Sequence, residues 1–304
     1  MKKLRILLTG LTILVTTLQT QAQTKENNGV QYTSNDSIKV EALLSKAAKQ
    51  TKAVKQTKAV NWMLFFARQL RGIPYMAKTL EANNEEKLIV NLRQLDCTTY
   101  VENVLALTLC MNDGKTSFHD YCQRLRLIRY KQGEVGYPTR LHYFTQWIED
   151  NTLMGFVKEK QTPNPPFTSI QTLNINFMTT HTNLYPMFNG HPEWVKQMAK
   201  EEQTLNGKQY RYIPKEQIKN NLLFRSNIHD GDIIAITTTH KGLDTSHIGI
   251  AVWHPDGLHL LNASQIRKKV VEEPMTLYTY MQKHPSQVGI RIIGVCQNSC
   301  QHKD

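Results

Sequence analysis

Beyond Leu18 the chain has no long apolar run, and nowhere does it hold Cys-x-x-Cys, His-Glu-x-x-His or Gly-x-Ser-x-Gly. The first absence argues against a multi-span membrane protein. The missing pairs set aside compact zinc modules and zinc proteases, and the missing elbow sets aside the usual serine hydrolase. With 15 Gly and 11 Pro in 304 residues, collagen-like and low-complexity chains are excluded as well. Acidic residues are the minority, 25 Asp and Glu against 37 Lys and Arg, for a net charge of +12. Such an excess suits nucleic acid, an anionic surface or an acidic polymer, and composition does not choose among them. What is present, 40% hydrophobic residues, can bury the core of one large domain or two small ones without disulfides or metals.

The N-terminus narrows the choice. Lys2, Lys3 and Arg5 precede an apolar Ile6–Leu18, and Thr20-Gln21-Ala22 has the small-x-small form read by signal peptidase. Residues 1–22 are expected to be a cleaved signal peptide, its apolar stretch too short to span a membrane, with no Cys beside the cut to carry a lipid. Export places the mature chain in the periplasm and argues against nucleic acid as its partner. All five cysteines, Cys97, Cys110, Cys122, Cys296 and Cys300, survive the cut. An odd number in an oxidising compartment leaves at least one thiol unpaired. Cys296 and Cys300 are near enough in sequence to bridge, while Cys110 and Cys122 sit in apolar helical runs and read as buried filler.

Residues 23–40 are polar and turn-rich, a flexible lead-in to a domain over 41–304. A helical pattern spans 38–70 and contains Lys49–Val54 repeated unchanged as Lys55–Val60. Six residues advance a helix by about 600°, so the copies cannot share a face, and the lysines Lys46, Lys49, Lys52, Lys55 and Lys58 read as a solvated surface. Helices are predicted at 84–92, from Cys97 to about Asn112, at 117–130 and near 140–150. The Pro-rich stretch 157–190 favours strands and loops. Past residue 230, β-branched runs at 232–238, 247–253, 258–263 and 290–295 predict a clustered antiparallel sheet, giving an α+β order.

Cys97 is set apart by its neighbours. Asp96 is placed to cap a helix whose first residue is Cys97, where unpaired amides and the helix dipole favour a thiolate. Asp96 opposes this, so a cation is needed nearby. Among the 11 histidines, His247 opens an apolar strand, Ser246–Trp253, and the next strand, Leu258–Ala263, follows Pro255-Asp256. A two- or four-residue hairpin centred there sets Gly249 opposite Asn262 and His247 opposite Ser264. His247 and Asn262 then share a face as diagonal neighbours, with Gly249 leaving room between them. Together these supply a nucleophile, a base and an orienting amide. No metal site is expected, since His240, His247, His254 and His259 lack compact ligand spacing.

In order, Gly72-x-Pro74-Tyr75, Asp96-Cys97, Gly231–Ile234, Ser246–Ile250 and Asn262-Ala263-Ser264 resemble the NlpC-type papain-like cell-wall cysteine hydrolases. Leu70–Leu107, Gly231–Val252, Leu141–Phe144 and Tyr210–Pro214 resemble one branch of them, the N-acetylmuramoyl-L-alanine amidase-like family, over roughly residues 60–296. The resemblance implies a papain-like core, a nucleophile helix packed on an antiparallel sheet, with an insertion at about 114–228. It implies a cofactor-free, monomeric amidase that cuts between the lactyl group of N-acetylmuramic acid and L-alanine in muropeptides. Cys97 carries over as nucleophile, His247 as base, Asn262 as the orienting residue where the wider superfamily has His, and Tyr75 beside the Cys97 amide as oxyanion donor. The insertion offers Tyr137, Arg140, His142, Arg211 and Tyr212 to sugars and carboxylates. Asp96 and Thr98 keep part of the pattern by which related endopeptidases hold a free peptide amine. A γ-D-glutamyl endopeptidase and a non-catalytic glycan-binding protein therefore stand as alternatives.

Overall fold

The computed structural model describes residues 24–296 apart from 28, 54–59 and 82; the expected signal peptide, most of the second hexapeptide copy and Cys300, with its expected bridge, lie outside them. In chain order, a hairpin of β1 (Thr24–Asn27) and β2 (Val30–Thr33) leads into α1 (Ser34–Ala53) and α2 (Trp62–Gln69). β3 (Leu88–Ile89), α3 (Cys97–Asn112), α4 (Phe118–Arg129) and α5 (Phe144–Leu153) follow. The middle of the chain holds β4 (Val157–Glu159), β5 (Ser169–Thr172), α6 (Phe177–Thr180), α7 (Pro192–Leu205), β6 (Gln209–Pro214) and α8 (Leu222–Asn227). β7 (Ile233–Thr238), β8 (Thr245–His254), β9 (Gly257–Ser264), β10 (Lys269–Glu272), α9 (Leu277–Gln282) and β11 (Gln287–Val295) complete an α+β chain.

The main sheet is antiparallel throughout, in the order β10-β9-β8-β7-β11-β6-β5 with β4 also on β11. Both of its faces are covered, which is why β7 reads as an unbroken apolar run rather than an alternation. Ile233, Ala235, Ile248, Ile250, Leu261 and Ala263 face α1 to α5. Ile234, Ile236, Ala251, Leu260, Ile290 and Ile292 face the other way, toward Phe224 of α8 and Leu277 and Met281 of α9. α3 is buried from Thr99 to Cys110 and packs against α2, α4, β8 and β9. A helix apolar on all sides belongs at the centre of a fold. A third core, with Tyr137, Tyr143, Ile175, Met178, Phe188 and Met198, is built from the middle of the chain.

Three expectations are corrected. Residues 84–92 are not a helix: Leu88 and Ile89 pair in parallel with Val30 and Gln31, and strand pairing overrides the i, i+4 spacing of Leu88 and Leu92. The lead-in carries β1, β2 and the start of α1, pinned by buried Asp36, which accepts from the Thr33 amide at 2.9 Å, its hydroxyl at 2.6 Å and the Leu92 amide at 2.9 Å. The 114–228 stretch is not a simple insertion either. α4 and α5 belong to the main core, and β4, β5 and β6 extend the main sheet.

Candidate active site

The Asp96 cap predicted before Cys97 is formed, and the structure extends it to a full capping box. Asp96 Oδ1 accepts from the Thr99 amide at 2.8 Å, and Thr99 Oγ1 accepts from the Asp96 amide at 3.0 Å. This fixes the first turn of α3 and sets Cys97 at its N-terminus. Burial, with Asp96 adding to it, pushes the Cys97 thiol up to about 12, while hydrogen bonds to sulfur from the Ile248 amide and from Thr98 work against the rise. Desolvation thus outweighs the helix-end effect that was expected to favour a thiolate, and the shift is toward the neutral thiol. Cys110 and Cys122 are buried, as expected of filler, and burial pushes both thiols up to about 12.

The β8–β9 hairpin has the two-residue turn, the shorter of the two lengths expected, pairing His254 with Gly257 and Ile250 with Leu261. Continued past Ile250, this register brings His247 and Asn262 to one face. His247 Nε2 donates to Asn262 Oδ1 at 2.9 Å, which leaves Nδ1 as the basic nitrogen. Asn262 is fully buried and its amide nitrogen points to the Leu260 carbonyl at 3.4 Å. Burial lowers the basicity of His247, and the Asn262 bond and the Glu273 charge oppose this. Gly249 plays a different part from the one expected. A Cβ there would lie 2.7 Å from Leu260 Cδ1 and 3.0 Å from the Leu261 carbonyl, so it admits β9 rather than leaving an open space.

Cys97 and His247 line one cavity of about 200 Å³, together with Thr98, Leu141–Phe144, Met178, Tyr185 and Leu243–Ile248. Tyr75 stands beside it: its amide donates to the Lys268 carbonyl at 2.9 Å, and the neighbouring Leu95 amide donates to the Pro74 carbonyl at 3.0 Å. Burial, then the charges of Cys97 and Asp96, push its phenol up to about 12, so it remains a proton donor.

Of the other predicted contacts, Thr98 and His142 are on the wall. The His142 Nε2 donates to the Tyr137 carbonyl at 2.8 Å, and burial together with Arg140 lowers its pKa to about 3, keeping it neutral. Tyr137 and Arg140 are corrected to scaffold. Tyr137 is buried and stacked on Trp194, and buried Arg140 pairs with Glu81 and, at 3.5 Å, Glu86. Arg211 and Tyr212 lie outside the cavity wall: they pair with Ile170 and Ser169 of β5, and Tyr212 packs over Gly289.

Sequence reasoning missed Asp244, Met178 and Tyr185. Asp244 accepts from the Thr145 amide at 2.5 Å and the Thr245 amide at 2.7 Å, tying the start of α5 to the strand that carries His247. It also missed Glu273 and Tyr280, buried behind the site; no local pattern marks these residues, because α9 and the middle of the chain reach the cleft only in three dimensions.

A family model described as N-acetylmuramoyl-L-alanine amidase-like matches residues 65–290. A crystal structure of an N-acetylmuramoyl-L-alanine amidase from Bacteroides uniformis superposes with a TM-score of 0.71 at 37% identity, covering 77% of this chain and 97% of that one. A Bacteroides fragilis structure named provisionally as a xylanase gives 0.69 at 38% identity, covering 75% of this chain and 98% of that one. A Legionella pneumophila protein of the DUF1460 family gives 0.64 at 24% identity, covering 86% of this chain and 99% of that one, a likeness of fold. No curated protein sequence matches. On the extent of the family match and the 37% identity over most of its length, the chain belongs to the N-acetylmuramoyl-L-alanine amidase-like family.

Proposed function

We propose that this protein is a secreted, periplasmic, monomeric cysteine amidase on a papain-like NlpC-type core, hydrolysing the N-acetylmuramoyl–L-alanine bond of peptidoglycan fragments. One observation carries the reading: a cysteine at a helix N-terminus and a histidine oriented by an asparagine line the same cavity.

In the proposed cycle the Cys97 sulfur attacks the lactyl carbonyl as its proton passes to His247 Nδ1. The Cys97 amide, unpaired at the helix end, and the Tyr75 hydroxyl hold the oxyanion. Collapse breaks the C–N bond, and the His247 imidazolium gives its proton to the departing L-alanine amine. Water then attacks the thioester, losing its proton to His247, and the lactyl carboxylate and thiol are released. Asn262 keeps Nε2 engaged through every step, so Nδ1 alone carries the proton.

Glycoside hydrolysis, suggested by the xylanase name given to one neighbour, is less well supported. That chemistry uses two carboxyl groups about 5–9.5 Å apart. Among the described residues the cavity wall has a single carboxylate, Asp244, whose oxygens are engaged by backbone amides. Among the same residues no helix is long and apolar enough to cross a membrane.

Replacement of the nucleophile is the test. Cys97→Ala is expected to lower release of L-alanyl peptides from muropeptides by at least about 10³-fold with unchanged circular dichroism. Full activity in that variant would remove the proposal.

A further inference from the structure

The β8–β9 hairpin gathers a second set of functional groups at its turn. His254 pairs with Gly257, and His259 pairs with Val252, so His254 and His259 are diagonal neighbours on one face. Their rings are 4.2 Å apart, and a ring nitrogen of each and a carboxylate oxygen of Asp256 all lie within 4.8 Å of one another. The five-residue spacing hid this from the sequence, and the expectation of no compact histidine set is corrected for this pair.

Each imidazole has one nitrogen held by a protein acceptor. His259, buried at 3% exposure, donates Nδ1–H to the Glu273 carbonyl at 2.8 Å, which directs Nε2 at Asp256, 3.0 Å away. His254 Nε2 lies 2.7 Å from Glu272, whose carboxylate is fixed by Arg68 at 3.1 Å. Such outer bonds set tautomer and ring orientation at metal-binding histidines. The turn is also anchored from outside: Asn220 donates to the Pro255 carbonyl and Arg225 to the His254 carbonyl, both at 2.9 Å.

We propose that His254, Asp256 and His259 form a binding site for a divalent transition metal of the zinc class. Two imidazoles and a carboxylate, without sulfur, suit Zn²⁺, Co²⁺ or Ni²⁺, whereas Mg²⁺ and Ca²⁺ take oxygen ligands. The site is structural. His254 lies seven residues along β8 from His247, about 23 Å at 3.3 Å per residue, so a bound ion clamps the hairpin that carries His247 and Asn262 without entering the cleft.

The test is calorimetric titration of chelator-treated, untagged Cys97→Ala protein with Zn²⁺ and with Mg²⁺. That background removes the catalytic thiol, which would bind zinc itself. One equivalent of Zn²⁺ and no Mg²⁺ is the expected result, with a rise in Tm. Asp256→Asn and His254→Ala, each added to that background, lie on the solvent side of the turn and are expected to keep native circular dichroism while weakening zinc binding at least about 10-fold. Absence of saturable zinc binding, or binding of equal strength in either variant, would overturn the proposal.

Discussion

Burial lowers the basicity of His247, whereas its bond to Asn262 raises it, and burial is the larger effect. Cys97 is displaced the other way, up to about 12. In the proposed mechanism both shifts favour a neutral thiol and a neutral imidazole at rest, with the proton moving only during attack. This has a kinetic signature. The base must be unprotonated, so kcat/KM is expected to rise through a pKa below the ordinary 6.5 of histidine and then stay level through mildly alkaline pH. An imidazolium–thiolate pair would give a bell with a descending alkaline limb, and a measured pH profile separates the two. The placement of Cys97 at a helix N-terminus and of His247 against Asn262 was legible in the sequence because it is local: a cap fixes Cys97, and a two-residue turn fixes which β9 residue meets His247. Arg140 and Tyr137 were misread because their partners are remote. A basic or aromatic side chain offers itself to a ligand until a distant Glu81 or Trp194 takes it.

Among the elements, α3 matters most, since its first turn positions Cys97, both the proposed nucleophile and, through its amide, a proposed oxyanion donor. Asp96 acts there in two opposing ways. It caps the helix, and its charge makes the Cys97 thiol harder to ionise. Asp96→Ala is expected to lower stability by about 1 kcal/mol through the lost cap, and also to speed iodoacetamide labelling of Cys97 at a given pH. Urea unfolding and labelling rates check the two effects separately; slower labelling would contradict this account of the thiol. The helix at Cys97 and the four expected strand runs were legible because strong caps and β-branched runs outweigh context. β3 was not, because two residues acquire strand geometry only by lying against β2.

Over the whole molecule, the helical core and the third core meet at the cleft wall, and buried ion pairs hold the layers in place. Arg129 of α4 donates to Glu102 of α3 and to the Ile89 carbonyl of β3, both at 2.7 Å, joining the helical layer to the N-terminal strands. Glu102→Ala leaves that guanidinium buried without its anion and is expected to cost about 3–5 kcal/mol, read as a lowered urea midpoint. A loss under about 1 kcal/mol would show that the layers hold without the strap. The third core was beyond sequence reasoning, since its residues are scattered from Tyr137 to Leu205 and combine only through packing. By supplying Met178 and the neighbouring Tyr185 to the cleft wall it limits what reaches Cys97. The net charge of +12 bears on none of this chemistry directly. The central claim, that the bond cut is the lactyl–alanine amide, is tested most directly by the masses of the products from a muropeptide of defined structure. The account predicts a sugar product free of amino acids together with the intact stem peptide; a sugar that keeps L-alanine would contradict it.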